Sequence, residues 1–365
     1  MLDPNQSKGR QKRLLAKMQE KRLDAIVVGA PHHVYYLGAF ATGWPHQSAL
    51  VLFSDGRSWI CTANAPATGT AADEAVSFEA QWLATLRQEQ PIVVAEMVRI
   101  KLIERHVSRV GMDSSQVTSQ LALMDDFEFE SIDEALWQQR RVKDADELAL
   151  IERAIKASEA MYDKAREMIA PGVLEIDVFS ALHDEAVKSM GEIMMAPLGN
   201  DYRCGGGGGP PRADRRAQDG ELYIIDVGPL YRGYFADNCR TFAVNRKPTD
   251  AQHRAWQAIV SSFDLLESTA KPGARCREIY EAILAHLEQH TGKRMPHHLG
   301  HGIGLQPHEY PHLNPKWDDV LMEGEVFAAE PGVYGPDLAA GIRIENDYVV
   351  TKTSVRKLLS SPMEL

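Results

Sequence analysis

The chain has 365 residues, of which 44% are hydrophobic and 25% are charged, and its formal net charge is −11. This is the composition of an ordinary globular protein, and the length favours two domains over one. The negative charge argues against a nucleic-acid partner, because a phosphate backbone requires a basic surface. No apolar run approaches the length of about 18 residues that a membrane span needs, so no membrane partner is predicted.

The cysteines and the N-terminus predict a cytoplasmic location. Cys61, Cys204, Cys239 and Cys276 are far apart and form no CxxC pair, which is typical of reduced thiols. A zinc site built from cysteines is improbable for the same reason. Residues 1–25 are basic and polar without an apolar core, so we do not expect a secretory signal.

Residues 1–140 are predicted to form an α/β domain. The expected elements are a helix over 11–23, a strand (DAIVVGA), a loop with His32 and His33, a hairpin turning at Asp55-Gly56, a strand (PIVVAEMV), a helix over 99–106, a strand (VGMD) and a helix over 117–124. No set of catalytic side chains is recognisable in this half. His32 and His33 are interpreted as loop or interface residues rather than as ligands.

The second domain is predicted to span residues 141–365. Asp144, followed by Glu147 three residues later, is a capping-box pattern, and the helix that it begins should stop before Pro171-Gly172. A helix over 176–190 follows. Further along the chain the pattern recurs, with a helix from Thr249, a Pro-Gly stop and a helix over 276–290. The order helix, helix, sheet therefore occurs twice, and it predicts an α+β fold with a pseudo-twofold repeat.

Five consecutive glycines begin the segment at residues 205–220, GGGGGPPRADRRAQDG. The segment lacks the GK[ST] ending of a phosphate-binding P-loop and does not open a helix. We expect a mobile loop that could line a cleft as a lid.

Residues 223–242, YIIDVGPLYRGYFADNCRTF, are predicted to form a β-hairpin with two acids among apolar residues. If Tyr231-Arg232 forms its tip, Asp226 faces Asp237 with Cβ atoms roughly 4.5–5.5 Å apart. Two buried carboxylates at that distance should not both remain ionised. They either share a proton or have a cation between them.

Three later segments carry further candidate ligands. His301 lies between Gly300 and Gly302, where the backbone is expected to approach a neighbour closely. Glu330 ends an apolar strand, and Glu345 lies on the same strand face as Arg343 and Asp347. By contrast, His298 and His312 fit a loop of exposed histidines.

Together with the hairpin acids, these segments supply four carboxylates and one imidazole. An oxygen-rich set of this kind suits hard or borderline divalent ions. Five ligands with four negative charges are too many for one ion. Two ions about 3.5–4 Å apart are the usual arrangement in two-metal hydrolases.

The order of motifs resembles that of a known family. DVG, an Asp eleven residues later, HxxGHGIGLxxHE, EPG and GIRIEN are similar to the pita-bread metallopeptidases of family M24, in the aminopeptidase P, prolidase and creatinase-like branch. The resemblance implies a creatinase-like α/β domain followed by a pita-bread domain. It also implies short proline-containing peptides as substrates, a homodimer, and two divalent ions, with Mn first and Co, Zn or Fe as alternatives.

The resemblance assigns the metal ligands. Asp226 would bind one ion with both oxygens, and Asp237 and Glu345 would bridge the two ions. His301 and Glu330 would complete the second site. A metal-bridged water or hydroxide would then be the nucleophile.

It also assigns the remaining active-site residues. Glu330 would handle the proton of the nucleophile. His297 and His308 would orient the scissile peptide and stabilise the charge on its oxygen. Arg343 would help to hold the substrate or Glu330.

One departure concerns a histidine that family members usually carry in the loop before the first ligand strand. Its place, seventeen residues before Asp226, falls at Gly209, and no histidine lies between Met190 and Gln252. Arg212, Arg215 and Arg216 are candidates to replace it. The departure bears on Xaa-Pro specificity more than on the metal site.

The leading hypothesis is a dinuclear metal-dependent exopeptidase, either an Xaa-Pro aminopeptidase or a dipeptidase. The alternative is a metal-dependent C–N hydrolase of a small non-peptide substrate on the same fold. A non-catalytic binding module would not need the ligand set. A glycosidase-type acid pair at Asp226 and Asp237 would leave His301, Glu330 and Glu345 unexplained.

Overall fold

The computed structural model describes residues 1–194 and 201–365. Contacts within the chain divide it into two units, Met1–Arg140 and Arg141–Leu365. All four cysteines are free and buried. Within the described ranges, no helix is both long and apolar enough to cross a membrane.

The first unit is built on a mixed β-sheet. Its strands are β1 (Ala25–Val28), β2 (Ala49–Phe53), β3 (Ser58–Ala63), β4 (Glu74–Phe78), β5 (Gln81–Trp82), β6 (Thr85–Leu86), β7 (Arg109–Met112) and β8 (Glu128–Ser131). Its helices are α1 (Pro4–Lys21), α2 (Pro31–Gly38), α3 (Gln90–Glu104), α4 (Gln116–Ala122) and α5 (Asp133–Arg141). The sheet order is β4-β3-β2-β1-β7-β8, and β5 pairs with β6. β1, β7 and β8 run parallel, whereas β2 is antiparallel to both of its neighbours.

The segment PIVVAEMV, predicted as a strand, lies instead in helix α3. Its β-branched residues favour a strand locally, but Val94, Val98 and Leu102 recur at helical spacing and are fully buried in the core of the unit. Burial of this apolar stripe outweighs the weak β propensity of the isolated run. The strand prediction was therefore wrong, and the helix expected over 99–106 is largely the end of α3.

The predicted loop at Pro31 is also a helix. Helix α2 begins at Pro31, whose fixed φ suits the first helical position. His33 is buried, and its Nδ1 lies 2.9 Å from Asp113 Oδ2. The same carboxylate accepts the backbone N–H groups of Gly29 and Ala30. We interpret this His–Asp pair as a structural link between the start of α2 and the end of β7.

The second unit contains two helix pairs, each followed by a sheet. Its helices are α6 (Ala145–Met168), α7 (Glu175–Met190), α8 (Asp250–Thr269) and α9 (Cys276–Thr291). Its strands are β9 (Asp201–Cys204), β10 (Leu222–Val227), β11 (Leu230–Tyr231), β12 (Tyr234–Phe235), β13 (Asn238–Ala243), β14 (Gly300–Gly302), β15 (Glu309–Leu313), β16 (Val326–Ala329), β17 (Gly332–Gly335), β18 (Ala340–Arg343), β19 (Asn346–Val350) and β20 (Val355–Lys357). Its larger sheets have the orders β13-β10-β9 and β15-β14-β16-β19-β20. The α+β prediction with its repeated helix–helix–sheet order is confirmed.

The apolar core of the second unit involves α8, α9 and the five-stranded sheet. Buried Ile259 and Leu287 of the helices belong to one cluster with Phe327 and Tyr348 of the sheet. The rings of Phe327 and Tyr348 stack with centroids 5.6 Å apart. Successive residues of a strand point to opposite faces, so Asp347 in β19 faces away from this core.

Helix α8 begins with the predicted capping box. Thr249 Oγ1 accepts the backbone N–H of Gln252, and the side-chain oxygen of Gln252 accepts the backbone N–H of Thr249. We expect Thr249→Ala to lower the free energy of unfolding by about 1 kcal/mol, because a helix N–H loses its partner. Denaturant unfolding followed by circular dichroism measures the loss. Thr249→Ser keeps the hydroxyl, so equal losses in the two variants would contradict the capping role.

Candidate active site

The hairpin that carries the first two acids has a different register from the one predicted. Asp226 faces Cys239 rather than Asp237, because the turn is formed by Arg232-Gly233. Both turn residues have positive φ, 47° and 89°, as in the type I′ turn of two-residue hairpins. Moving the turn by one residue shifts the pairing by two, which keeps Asp237 on the face of Asp226.

The carboxylate that lies opposite Asp226 belongs to Asp201, the first residue of β9. Both side chains are buried, and the guanidinium of Arg343 contacts both. Its Nη2 lies 2.5 Å from Asp226 Oδ2. Opposed buried carboxylates require a cation between them, and for Asp201 and Asp226 that cation is the guanidinium of Arg343.

A pair of backbone hydrogen bonds brings Glu345 to the end of the hairpin. The N–H of Glu345 donates to Cys239 O at 2.9 Å, and the N–H of Cys239 donates to Glu345 O at 3.4 Å. Arg240 secures this junction, since its guanidinium donates to the backbone oxygen of Glu345 and to Asn346 Oδ1. Asp237, two residues before Cys239, thereby comes close to Glu345.

His301 is held in β14 between two glycines. A Cβ on Gly300 would overlap the backbone oxygen of Ala328, and a Cβ on Gly302 would overlap that of Tyr310. The predicted close approach of the backbone at these glycines is confirmed. It fixes His301, which is buried, in the strand between β15 and β16.

The five predicted ligands form two overlapping clusters. Candidate ligand atoms of Asp226, Asp237 and Glu345 lie within 4.8 Å of one another, and so do those of His301, Glu330 and Glu345. The Nε2 of His301 lies 3.7 Å from Asp237 Oδ2 and 3.7 Å from Glu330 Oε1. Two clusters that share a carboxylate have the ligand chemistry of two adjacent divalent-ion sites.

The buried carboxylates of these clusters favour the binding of cations. Burial raises the pKa of Asp226, and it raises the pKa of Asp237 and of Glu345 well above the usual range. Burial also raises the pKa of Glu330 to about 8. Among the described residues, Asp226 Oδ1 and Glu345 Oε2 are buried oxygens without a hydrogen-bond partner. Such oxygens are costly unless they bind a cation, so the residues present fit two divalent ions.

The two predicted catalytic histidines, His297 and His308, lie beside the clusters. The ring of His308 stacks on that of His301 with centroids 3.5 Å apart. His297 Nε2 lies 2.9 Å from Tyr334 Oη, and His297 Nδ1 lies 2.8 Å from the backbone oxygen of His298. Burial lowers the pKa of His297 to about 4, so its ring is neutral at pH 7. His308 is exposed.

The two histidines expected to be exposed are both half-buried. His298 Nε2 lies 3.4 Å from Glu330 Oε1, which places His298 in the candidate site. His312 Nδ1 lies 2.9 Å from Asp319 Oδ2, and its ring stacks on that of Trp317. The expectation of exposure was therefore wrong for both, because each ring has a carboxylate partner.

Arg343 links several groups of the site. Its Nη1 lies 3.4 Å from Tyr334 Oη, and its Nε lies 3.9 Å from Glu330 Oε2. Sequence reasoning did not single out Tyr334, which connects His297 to Arg343. It also gave no role to Asp347, whose Oδ2 accepts the backbone N–H of Asp237 at 3.3 Å.

The arginines considered as substitutes for the loop histidine are bound elsewhere: Arg212 to Glu175, Arg215 to Glu221 and Arg216 to the backbone oxygen of Gly172. A side chain at the place of that histidine would be strained. Gly209 has a φ of 139°, and a Cβ there would lie 2.6 Å from the guanidinium carbon of Arg203. The glycine segment at residues 205–209 is folded against β9.

Comparison with known proteins identifies the family. Residues 149–352 match Metallopeptidase family M24, and residues 10–155 match the Creatinase/Prolidase N-terminal domain. The chain is 26% identical to an Xaa-Pro dipeptidase from Pyrococcus furiosus, over 98% of this chain and 99% of the relative. It is 31% identical to an Xaa-Pro dipeptidase from Pyrococcus horikoshii, over 65% of this chain and 68% of the relative.

A solved structure shows the same fold. The prolidase from Pyrococcus horikoshii matches with a TM-score of 0.80 and 22% identity, over 98% of this chain and 99% of that chain. The predicted creatinase-like α/β domain followed by a pita-bread domain is confirmed. The M24 match covers more than half of the chain and includes all five candidate ligands. The chain is therefore an enzyme, and it belongs to metallopeptidase family M24.

Proposed function

We propose that this protein is a dinuclear metal-dependent exopeptidase that hydrolyses Xaa-Pro bonds in short peptides. The observation that carries the proposal is the pair of buried ligand clusters that share Glu345. The relatives named Xaa-Pro dipeptidase support the substrate class. The proposal covers both an aminopeptidase and a dipeptidase.

Two divalent ions would be held by the clusters. Asp237 and Glu345 would be shared, Asp226 would complete one site, and His301 and Glu330 would complete the other. The chemistry that such ions supply when bound is a water nucleophile of lowered pKa and a polarised scissile carbonyl. Mn is the first candidate because the ligand set is rich in oxygen, with Co, Zn and Fe as alternatives.

The side chains around the clusters would position the substrate and move its protons. Glu330 would accept the proton of the attacking water and pass it to the leaving amine. His308 would stabilise the charge that develops on the scissile oxygen, and His297 would orient the peptide through its acceptor Nε2. Arg343 lies 3.9 Å from Glu330 and would hold that carboxylate or bind the substrate.

Elemental analysis of the purified protein, combined with hydrolysis of one proline dipeptide and one proline tripeptide, tests the proposal. We expect about two divalent ions per chain and release of proline from the dipeptide. Cleavage of the tripeptide as well would identify an aminopeptidase. A fully metallated sample that cleaves no proline peptide from a broad panel would overturn the substrate class, and protein that binds no metal would overturn the metal centre.

The second candidate is a metal-dependent C–N hydrolase of a small non-peptide substrate. One observation favours it, because Gly209 stands where the family usually places a histidine and has a φ of 139°, which a residue with a side chain rarely adopts. Screening amidino, N-acyl and lactam compounds with the same metallated sample separates the two candidates.

The resemblance to the prolidase branch also leads us to propose a homodimer, which light scattering of the purified protein tests. A cytoplasmic location is supported by the free, buried cysteines, since disulfides are rare in that compartment. Cell fractionation would test that location.

A further inference from the structure

We propose that Asp201 is a positioning residue for the metal centre. It holds the guanidinium of Arg343 between itself and Asp226, and it thereby keeps Asp226 available to a metal ion. Gly208, within the glycine segment at residues 205–209, makes room for the Asp201 carboxylate. The inference rests on the proposed metal centre. Asp201 is not one of the five predicted metal ligands.

The geometry of the pair is unfavourable without a cation. Asp201 and Asp226 are opposed residues on neighbouring antiparallel strands, and directly opposed like charges repel. Their exposed fractions are only 8% and 6%, so water screens the repulsion poorly. A single nitrogen of Arg343, Nη2, contacts one oxygen of each carboxylate.

Sharing the guanidinium affects what Asp226 can bind. Its Oδ2 accepts from Arg343, whereas its Oδ1 is buried without a hydrogen-bond partner in the described structure. One positive charge divided between two carboxylates leaves Asp226 with negative charge to offer to a divalent ion. If Asp201 were neutral, Arg343 would pair with Asp226 alone and compete with the ion for it. Neutral Asp201 would also weaken cation binding directly, because one negative charge near the ion would be lost.

The glycine segment explains why Asp201 can occupy this place. A Cβ on Gly208 would lie 2.5 Å from the carboxyl carbon of Asp201, closer than real side chains approach. Any side chain at that position would displace the carboxylate. Gly206 and Gly207 differ, since a Cβ on either would meet no atom within 4 Å. The requirement for glycine next to Asp201 is therefore specific to Gly208.

Titration of metal-free protein with Mn²⁺ in a calorimeter tests the inference. We expect Asp201→Asn to weaken Mn²⁺ binding by about 10–100-fold, the range found for groups that orient metal ligands. Wild-type protein that binds no Mn²⁺ or Co²⁺ would overturn the proposed function itself. Wild-type and Asp201→Asn proteins that bind Mn²⁺ equally tightly would overturn the role of Asp201 alone.

A second pair of variants tests the same role without changing any charge. Gly208→Ala should also weaken Mn²⁺ binding because it displaces the carboxylate, whereas Gly207→Ala is the matched control and should bind as the wild type does. In an Arg343→Gln background, Asp201→Asn should have a smaller effect, because no guanidinium remains to be positioned. Equal affinities in the two glycine variants, or an undiminished effect of Asp201→Asn in that background, would contradict the proposal.

Discussion

Asp237→Asn is expected to lower kcat/KM for a proline dipeptide by about 10³-fold, which corresponds to about 4 kcal/mol of transition-state stabilisation. The asparagine keeps the size of the side chain but places a neutral amide where the clusters need an anion. Asp237 is buried and lies within ligand distance of Asp226, Glu345 and His301. Its backbone N–H is held by Asp347, so the main chain is anchored independently of the substituted side chain. Steady-state kinetics and metal analysis of the same samples measure the effect.

The same substitution should change thermal stability in opposite directions with and without metal. In metal-free protein a carboxylate at Asp237 is costly because it is buried and lies near the acids Asp226, Asp347 and Glu330, so Asp237→Asn should raise Tm, by about 2–4 °C for each kcal/mol of that cost removed. Added Mn²⁺ should raise the Tm of the wild type, because an ion that binds only the folded state stabilises it. In the variant this rise should be largely lost.

Asp214→Asn provides the control for this substitution. Asp214 is exposed in the loop after the glycine segment, so the same chemical change there should leave both kcat/KM and the Mn²⁺-induced rise in Tm at their wild-type values. If Asp237→Asn also retained both, Asp237 would have no place in the metal centre.

Members of the candidate ligand set could be proposed from the sequence because some of them carry a local signal. His301 lies between two glycines, and Glu330 is followed at once by Pro331-Gly332. These neighbouring residues indicate a polar side chain whose burial is costly unless it is paired. The register of the hairpin could also have been predicted from the sequence. A type I′ turn favours glycine at its second central position, which selects Arg232-Gly233 over Tyr231-Arg232.

Asp201 could not have been found in the same way. It meets Asp226 only because β9 pairs with β10, and no tight turn between these strands sets their register. Its cation, Arg343, comes from β18, far along the chain. The prediction that Asp237 faces Asp226 was wrong, because the carboxylate opposite Asp226 is that of Asp201 and the cation between them is Arg343, both brought there by long-range pairing.

Helix α3 shows the same limit in the first unit. Its local composition favours a strand, and only the burial of Val94 and Val98 against the rest of the unit makes the helix the better solution. The contact of His298 likewise involves Glu330, the residue that follows β16. In both cases the deciding partner is distant in the sequence.

His297→Ala is expected to lower kcat by about 10²-fold, the cost of a misplaced substrate, while leaving Mn²⁺ affinity close to that of the wild type. His297 belongs to neither ligand cluster, so its loss should not remove a metal ion. Its ring is neutral, and its Nδ1 faces the backbone oxygen of His298, which can only accept a hydrogen bond. The proton is therefore on Nδ1, and Nε2 accepts from the hydroxyl of Tyr334.

Because Nε2 of His297 accepts from Tyr334, a Tyr334→Phe variant distinguishes two ways in which His297 could act. If it works by holding the Tyr334 hydroxyl, which also lies 3.4 Å from Arg343 Nη1, Tyr334→Phe should reproduce most of the loss in kcat. If it contacts the peptide directly through Nε2, Tyr334→Phe should cost much less than His297→Ala. His290→Ala, at an exposed position on α9, is the matched control and should leave kcat unchanged. A fall in Mn²⁺ affinity in His297→Ala as large as that in Asp237→Asn would instead make His297 part of the metal centre, because only a group that supports the ions could produce it.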